Sequence, residues 1–92
     1  MAVWTKNAQE YEHARKIILS SIDLFGRKTR VHLEDGNTLD GMVVGGGSGT
    51  NFGENIAAGR GAAVTAMWGE VRVVLEDNTE RVLDAQTIEK FS

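Results

Sequence analysis

The chain has 92 residues and a formal net charge of −3, and it contains neither cysteine nor proline. This length suits a single domain, and the lack of cysteine excludes disulfides and thiolate metal sites. No apolar run approaches the roughly 20 residues of a membrane span, and Ile17-Ile18-Leu19 is too short for the core of a signal peptide. We therefore expect one domain over residues 1–92, located in the cytoplasm.

The charges are unevenly distributed along the chain. Residues 1–32 contain six Lys/Arg and three Asp/Glu, whereas residues 33–92 contain four and ten. A basic N-terminal part joined to an acidic remainder gives the protein one positively charged and one negatively charged surface. The alternative is chance variation on a solvated surface.

The first predicted element is a helix over residues 7–25. Asn7 and Glu10 have capping-box spacing, and Gly26 is a typical residue just beyond a helix C-terminus. Apolar residues recur at steps of three, four and seven, which predicts one apolar helical face. That face contains Trp4, Ala8, Tyr11, Ile18, Ile22 and Phe25.

Residues 28–91 change to the period of β-strands. Residues 29–34 alternate between apolar and polar, Asp35-Gly36 predicts a hairpin turn, and residues 38–45 predict the returning strand. Gly41 within that strand indicates a bulge or a sharp bend. The first two strands are therefore expected to form a curled hairpin.

A second hairpin is predicted toward the C-terminus. Residues 70–76 and 80–83 are its strands, with the turn at Asp77-Asn78. Asp84-Ala85-Gln86 interrupts the pattern, and residues 87–91 form a last strand around Ile88. The expected fold class is mainly β, with one N-terminal helix.

Residues 45–61 contain seven glycines. Such a run is costly to order, so it favours a mobile loop. It lacks the Gly-Lys-Ser/Thr of a Walker loop and the βαβ context of a dinucleotide fingerprint. Backbone amides with Arg60 could still bind an anion, which is the alternative reading.

The sequence gives little indication of catalysis. His13 and His32 are the only histidines, and no carboxylates lie at ligand spacing around them. Glu34-Asp35 and Glu76-Asp77 fall at turns and are expected in solvent. We therefore expect no enzyme activity, no metal and no cofactor.

A nucleic-acid surface has partial support. Arg27 and Lys28 follow the helix, and a phenylalanine in the glycine-rich loop is placed to stack on a base. The alternative for this phenylalanine is a hydrophobic anchor that tucks the loop onto the sheet. The candidate contacts are Arg27, Lys28, Asn51, Phe52, Asn55 and Arg60.

The order of elements and two motifs resemble the Sm-like family. The residues Val31-His32-Leu33-Glu34-Asp35-Gly36, followed by Gly41, Val43 and Gly45, resemble its first motif, and residues 82–91 resemble its second. The resemblance implies a strongly bent, five-stranded antiparallel barrel of the SH3 type over about residues 28–91. Divergent members from ocean metagenomes, attributed to cyanophages, are the most similar in pattern. An SH3-like barrel associated with chromatin or ribosomes is the competing interpretation.

The chain departs from the family at the positions that contact RNA. Gly46-Gly47 stands where the family has Phe-Asp, and Asp84-Ala85 stands where it has Arg-Gly. An aspartate in place of arginine removes a hydrogen-bond donor and repels phosphate. The family's uridine pocket is therefore not expected here.

The resemblance also implies assembly into a ring of five to seven copies, with RNA as a ligand. Sm-like rings form when the fourth strand of one copy pairs with the fifth strand of the next. Such a ring in a phage virion or at a host-interaction surface, without RNA, is the alternative function. The expected interface residues are Arg81, Val82, Leu83, Ile88 and Phe91.

Overall fold

A computed structural model describes residues 3–51 and 66–92. Within them the chain forms one helix, five strands and a short 3₁₀ turn, so the predicted mainly β architecture with an N-terminal helix is confirmed. In chain order the elements are α1 (Ala8–Asp23), β1 (Lys28–Leu33), β2 (Thr38–Asn51), β3 (Ala66–Leu75), β4 (Glu80–Asp84), the 3₁₀ turn (Ala85–Thr87) and β5 (Ile88–Phe91).

The five strands lie in a single antiparallel sheet in the order β4-β3-β2-β1-β5. The sheet is open, with β4 at one edge and β5 at the other. The two hairpins, β1–β2 and β3–β4, account for two of the four strand pairings. The turn signals read from sequence correspond to left-handed backbone at Gly36 (φ 91°) and Asn78 (φ 68°).

The bulge in β2 lies at Val44, between Val43 and Gly45, so of the two alternatives predicted for Gly41, a bulge or a sharp bend, the bulge is wrong. Gly41 pairs in regular register with both neighbouring strands. It is needed for a different reason, because a Cβ there would lie 2.6 Å from the carbonyl oxygen of Val74. Gly41 therefore permits a close approach of β2 to β3.

The prediction of a loop is wrong for residues 46–51, which continue β2 beyond the predicted strand end at Gly45 and pair with β3. Trp68 on β3 explains how glycines can be accommodated in this strand. A Cβ at Gly47 would lie 3.6 Å from the indole ring, and one at Gly49 would lie 2.5 Å from its Nε1. The ring therefore fills the space that side chains would take, as aromatic residues do across from glycine in other sheets. Residues 52–61 of the predicted loop lie outside the described residues.

The helix begins and ends close to the predicted positions. The side chain of Asn7 accepts a hydrogen bond from Glu10 N at 2.9 Å, and Glu10 accepts one from Lys6 N at 2.8 Å. Leu24 caps the C-terminus, and Gly26 follows with a φ of 79°. The capping signals therefore identify the helix within two residues at each end.

The predicted apolar face of the helix is wrong in part. Ala14, Ile17 and Ser21 are buried, whereas Ile22 is 53% exposed and Phe25 is 47% exposed. Trp4 precedes the helix and is also exposed. The physical reason is that the helix contacts the sheet closely through small residues, and it does not use the wide stripe of large apolar residues that the sequence predicts.

That contact is centred on Gly69 of β3. A Cβ at Gly69 would lie 2.7 Å from Cγ1 of Ile18 and 3.3 Å from Cβ of Ala85. The absence of a side chain lets the helix lie directly on the sheet. Ala14 and Ser21, two small residues about two turns apart on the buried face of the helix, suit the same close approach.

The core lies between α1 and the sheet. Its buried apolar residues are Ala14, Ile17, Val31, Val43, Met67, Val71, Val73, Leu83, Ala85 and Ile88. We call this the inner face of the sheet, and the face away from α1 the outer face. No helix in the described part of the chain is long and apolar enough to cross a membrane.

The segment before the helix is tied to the sheet by Thr5. Its N–H donates to the carbonyl of Met67 at 2.8 Å, and Met67 N donates to its Oγ1 at 3.0 Å. Thr5 itself is buried. This segment therefore covers β3 beyond the point where β4 pairs with it.

Candidate assembly edges and nucleic-acid surface

The edge strand β4 alternates between the two faces of the sheet. Leu83 pairs with Val71 and is 7% exposed, which places it on the inner face. Val82 pairs with Arg72 on the outer face and is 53% exposed. One side of β4 is bonded to β3, and the other side has no strand beside it among the described residues.

The opposite edge strand, β5, contains a register shift. Phe91 pairs with Val31, Lys90 with His32, and Ile88 with Leu33, which leaves Glu89 as the extra residue. Ile88 is fully buried and Phe91 is partly buried against the core. The shift allows both apolar residues of this short strand to point inward.

These positions divide the expected interface residues into two groups. Arg81 and Val82 present exposed side chains at the β4 edge. Leu83 and Ile88 give their side chains to the chain's own core, so only their backbone is available to a neighbouring strand. Phe91 lies between these cases, since it packs on the core but stays partly accessible.

Asp84 and Ala85 have structural roles at the positions where the resemblance places Arg-Gly. The Oδ1 of Asp84 accepts a hydrogen bond from Gln86 N at 2.8 Å, which caps the 3₁₀ turn. Its Oδ2 is buried and has no hydrogen-bond partner among the described residues. Ala85 is fully buried beneath the helix, near Gly69. The break before β5 is therefore a capped turn.

The basic residues after the helix form an exposed corner. Arg27 and Lys28 are both exposed, at the junction of α1 and β1. The backbone of Arg27 is held by a hydrogen bond to Leu24 O at 2.9 Å and by one from Val43 N at 3.4 Å. Their side chains are thus presented to solvent from a fixed backbone.

Two arginines of the sheet are engaged in ion pairs. Arg30 Nε lies 2.8 Å from Asp40 Oδ1, and Arg72 Nη2 lies 2.7 Å from Glu80 Oε1. The hydrogen bond from Arg30 lowers the pKa of the Asp40 carboxyl below its ordinary value. These pairs reduce the positive charge that the sheet can offer to phosphate.

The remaining candidate contacts cannot be placed with the corner. Asn51 ends β2, where its backbone pairs with Ala66. Phe52, Asn55 and Arg60 lie outside the described residues. The structure therefore describes Arg27 and Lys28 as exposed, and the loop contacts stay predictions.

The histidines connect the chain ends to the rest of the fold. His13 Nε2 lies 2.6 Å from the carbonyl oxygen of Ile88 and 3.5 Å from Glu34 Oε1. His32 Nε2 lies 2.6 Å from Ser92 Oγ. Within residues 3–51 and 66–92, no three His, Cys, Asp or Glu side chains are grouped to hold a metal ion. The His13 contact has no local sequence signal, because its partner is 75 residues away.

Comparison with known proteins was negative: no family model, no curated protein and no solved structure matches this chain. The described residues show a helix on an open five-stranded antiparallel sheet.

Proposed function

We propose that this chain forms a homo-oligomeric ring of the Sm-like kind, in which β4 of one copy pairs with β5 of the next. The observation that supports this is the open sheet, whose two edges are β4 and β5. Neither edge carries proline, the residue that most simply blocks strand pairing. A contact between two different edges is heterologous, and it closes into a ring when the rotation between copies divides a full turn.

The burial of the edges is consistent with this proposal. Val82 on β4 is a large apolar side chain that is 53% exposed. A neighbouring strand on this edge covers it and also satisfies the backbone groups of β4. Burial between copies adds to a core that is small in a domain of this size.

Light scattering coupled to size-exclusion chromatography tests the assembly. The expected mass is five to seven times that of the 10.0 kDa chain. Val82→Lys, which puts a charge on the β4 edge, is expected to reduce that mass. Val44→Lys is the matched control, because Val44 is 42% exposed at the bulge in β2, away from both edges. A wild-type monomer at all concentrations contradicts the proposal.

We further propose RNA as the ligand, with Arg27 and Lys28 contacting phosphate. Binding of U-rich and A-rich oligonucleotides is expected to strengthen as salt falls. Replacing both residues with glutamine is expected to reduce the slope of log K against log salt by about 2, one for each lost contact. The double variant Arg15→Gln and Lys16→Gln, which removes the same two charges from the exposed surface of α1, is the control.

A ring without RNA, as a virion or host-interaction component, is the second candidate. The ion pairs Arg30–Asp40 and Arg72–Glu80 favour it, because they neutralise two cations of the sheet. The net charge of −3 acts in the same direction. Oligomers that bind neither oligonucleotide at low salt support this candidate over RNA binding.

A further inference from the structure

Two carboxylates lie side by side on the outer face of the sheet. Glu70 of β3 and Asp84 of β4 are direct partners in the antiparallel register. Val71 and Leu83, the next pair, are both on the inner face, so the two acids project the other way. Like charges directly opposite each other destabilise a sheet. This pair therefore favours a cation beside it.

The described residues provide Asp84 with only part of its hydrogen bonding. Its Oδ1 accepts from Gln86 N, whereas its Oδ2 is buried and unpartnered. The two other outer-face residues of β4 are Glu80 and Val82. Glu80 is already paired with Arg72 at 2.7 Å. Among the described residues, Asp84 is therefore the acidic residue of β4 whose charge is not balanced by an ion pair.

The opposite edge of the sheet carries a suitable cation. Lys90 of β5 pairs with His32, and its neighbour Phe91 pairs with the fully buried Val31. Since adjacent residues point to opposite faces, Lys90 lies on the outer face. Lys90 is exposed, and it is the only basic residue in β5.

We infer that Lys90 of one copy lies beside Asp84 of the next copy, on the same row as Glu70, and that this contact sets the register between copies. The inference rests on the proposed pairing of β4 with β5. An antiparallel register that places Lys90 opposite Asp84 also places Phe91 opposite Leu83 on the inner face. The interface then joins an opposite-charge pair on one face to an apolar pair on the other.

Neighbouring registers are less favourable. A slip of one residue places Lys90 opposite Leu83, which breaks the continuity of the inner and outer faces. A slip of two residues, toward the start of β4, places Lys90 opposite Val82 and Phe91 opposite Arg81. That register loses both the direct charge pair and the apolar pair, so it is less stable than the register that pairs Lys90 with Asp84.

Charge reversal tests the contact. Lys90→Glu and Asp84→Lys each place like charges together at every interface, and each is expected to weaken association about five- to tenfold. An equimolar mixture of the two variants restores opposite charges wherever unlike copies are neighbours, which is every interface of an alternating six-membered ring and all but one interface of a ring of five or seven. The mixture is therefore expected to assemble better than either variant alone, measured by light scattering at low salt.

Controls separate charge from folding. Lys16→Glu on α1 and Glu76→Lys in the β3–β4 turn make the same charge changes at exposed positions away from the edges. Asp84→Asn keeps a side-chain oxygen for the cap of the 3₁₀ turn and removes only the charge. It is expected to weaken association severalfold and to reduce its dependence on salt. Circular dichroism shows whether each variant is folded.

The possible outcomes distinguish failure of the Lys90–Asp84 contact from failure of the proposed ring. An oligomeric wild type whose association is unchanged by Lys90→Glu and Asp84→Asn overturns the inference and leaves the ring standing. Weakened variants whose mixture gains nothing overturn the contact between copies. A monomeric wild type overturns both.

Discussion

At the scale of single residues, Gly69 has the clearest consequence. We expect Gly69→Ala to destabilise the fold by about 1–3 kcal/mol, because the added Cβ would lie 2.7 Å from Cγ1 of Ile18 and that side chain or the helix carrying it must shift. Gly45→Ala is the matched control. Its Cβ would come no closer than 3.8 Å to Arg72, so stability should change by about 0.5 kcal/mol or less. Chemical denaturation measures both, and equal losses contradict this explanation of Gly69.

Asp40 provides a prediction about pH. Its pKa is lowered in the folded protein, chiefly by the hydrogen bond from Arg30. A carboxyl with a lowered folded pKa stabilises the fold above its unfolded pKa of about 3.9, and this contribution is lost as the pH falls through the folded value. Arg30→Gln is expected to raise the Asp40 pKa toward its ordinary value, as measured by NMR titration of the carboxyl carbon. Arg81→Gln, on the far edge strand, should leave it unchanged.

Some single-residue roles could be predicted from sequence and others could not. Gly36 and Asn78 lie in hairpin turns, and local composition was enough to place them. The need for Gly69 arises from Ile18, which is 51 positions earlier in the chain. The role of Asp84 as a cap depends on a turn that the sequence showed only as an interruption of a strand.

At the scale of elements, the helix provides a direct comparison of two isoleucines. Ile17 is 3% exposed and Ile22 is 53% exposed. We expect Ile17→Ala to cost about 2–4 kcal/mol of unfolding free energy and Ile22→Ala to cost about 1 kcal/mol or less. Denaturant titration of both variants measures the difference. A larger cost for Ile22→Ala than for Ile17→Ala would indicate that the helix packs with the face first predicted from sequence, and equal costs would contradict the burial difference between the two residues.

The errors at the element scale have a common physical cause. The periodicity of α1 indicated a helix correctly, but it weighted large apolar residues and so missed the face made by Ala14 and Ser21. The glycine run of β2 indicated a loop because glycine has a low strand propensity. Trp68 compensates for this across the strand pair, and that partner cannot be found by examining β2 alone. Tertiary contacts therefore decided both cases.

At the scale of the whole molecule, the two edges of the sheet determine which groups the protein can offer to a neighbouring copy. The sequence predicted the bounds of β4 and β5 to within about one residue, and it predicted the order of the elements correctly. It did not show that Leu83 and Ile88 are used by the core, which leaves backbone, Val82 and the charged residues for a partner. The proposed assembly therefore depends on strand pairing and charge more than on apolar side chains.

Assembly through these edges makes stability depend on concentration. Because pairing occurs only between folded copies, association stabilises the native state by mass action. We expect the thermal midpoint of the wild type to rise between about 1 and about 100 µM protein. Lys90→Glu should lower the midpoint at the high concentration and match the wild type at the low one, since it weakens association and leaves the core intact. A difference between the two proteins that persists unchanged at low concentration would instead place the role of Lys90 within the monomer. A wild-type midpoint that is constant across the range would mean that the open sheet is stable without a neighbour.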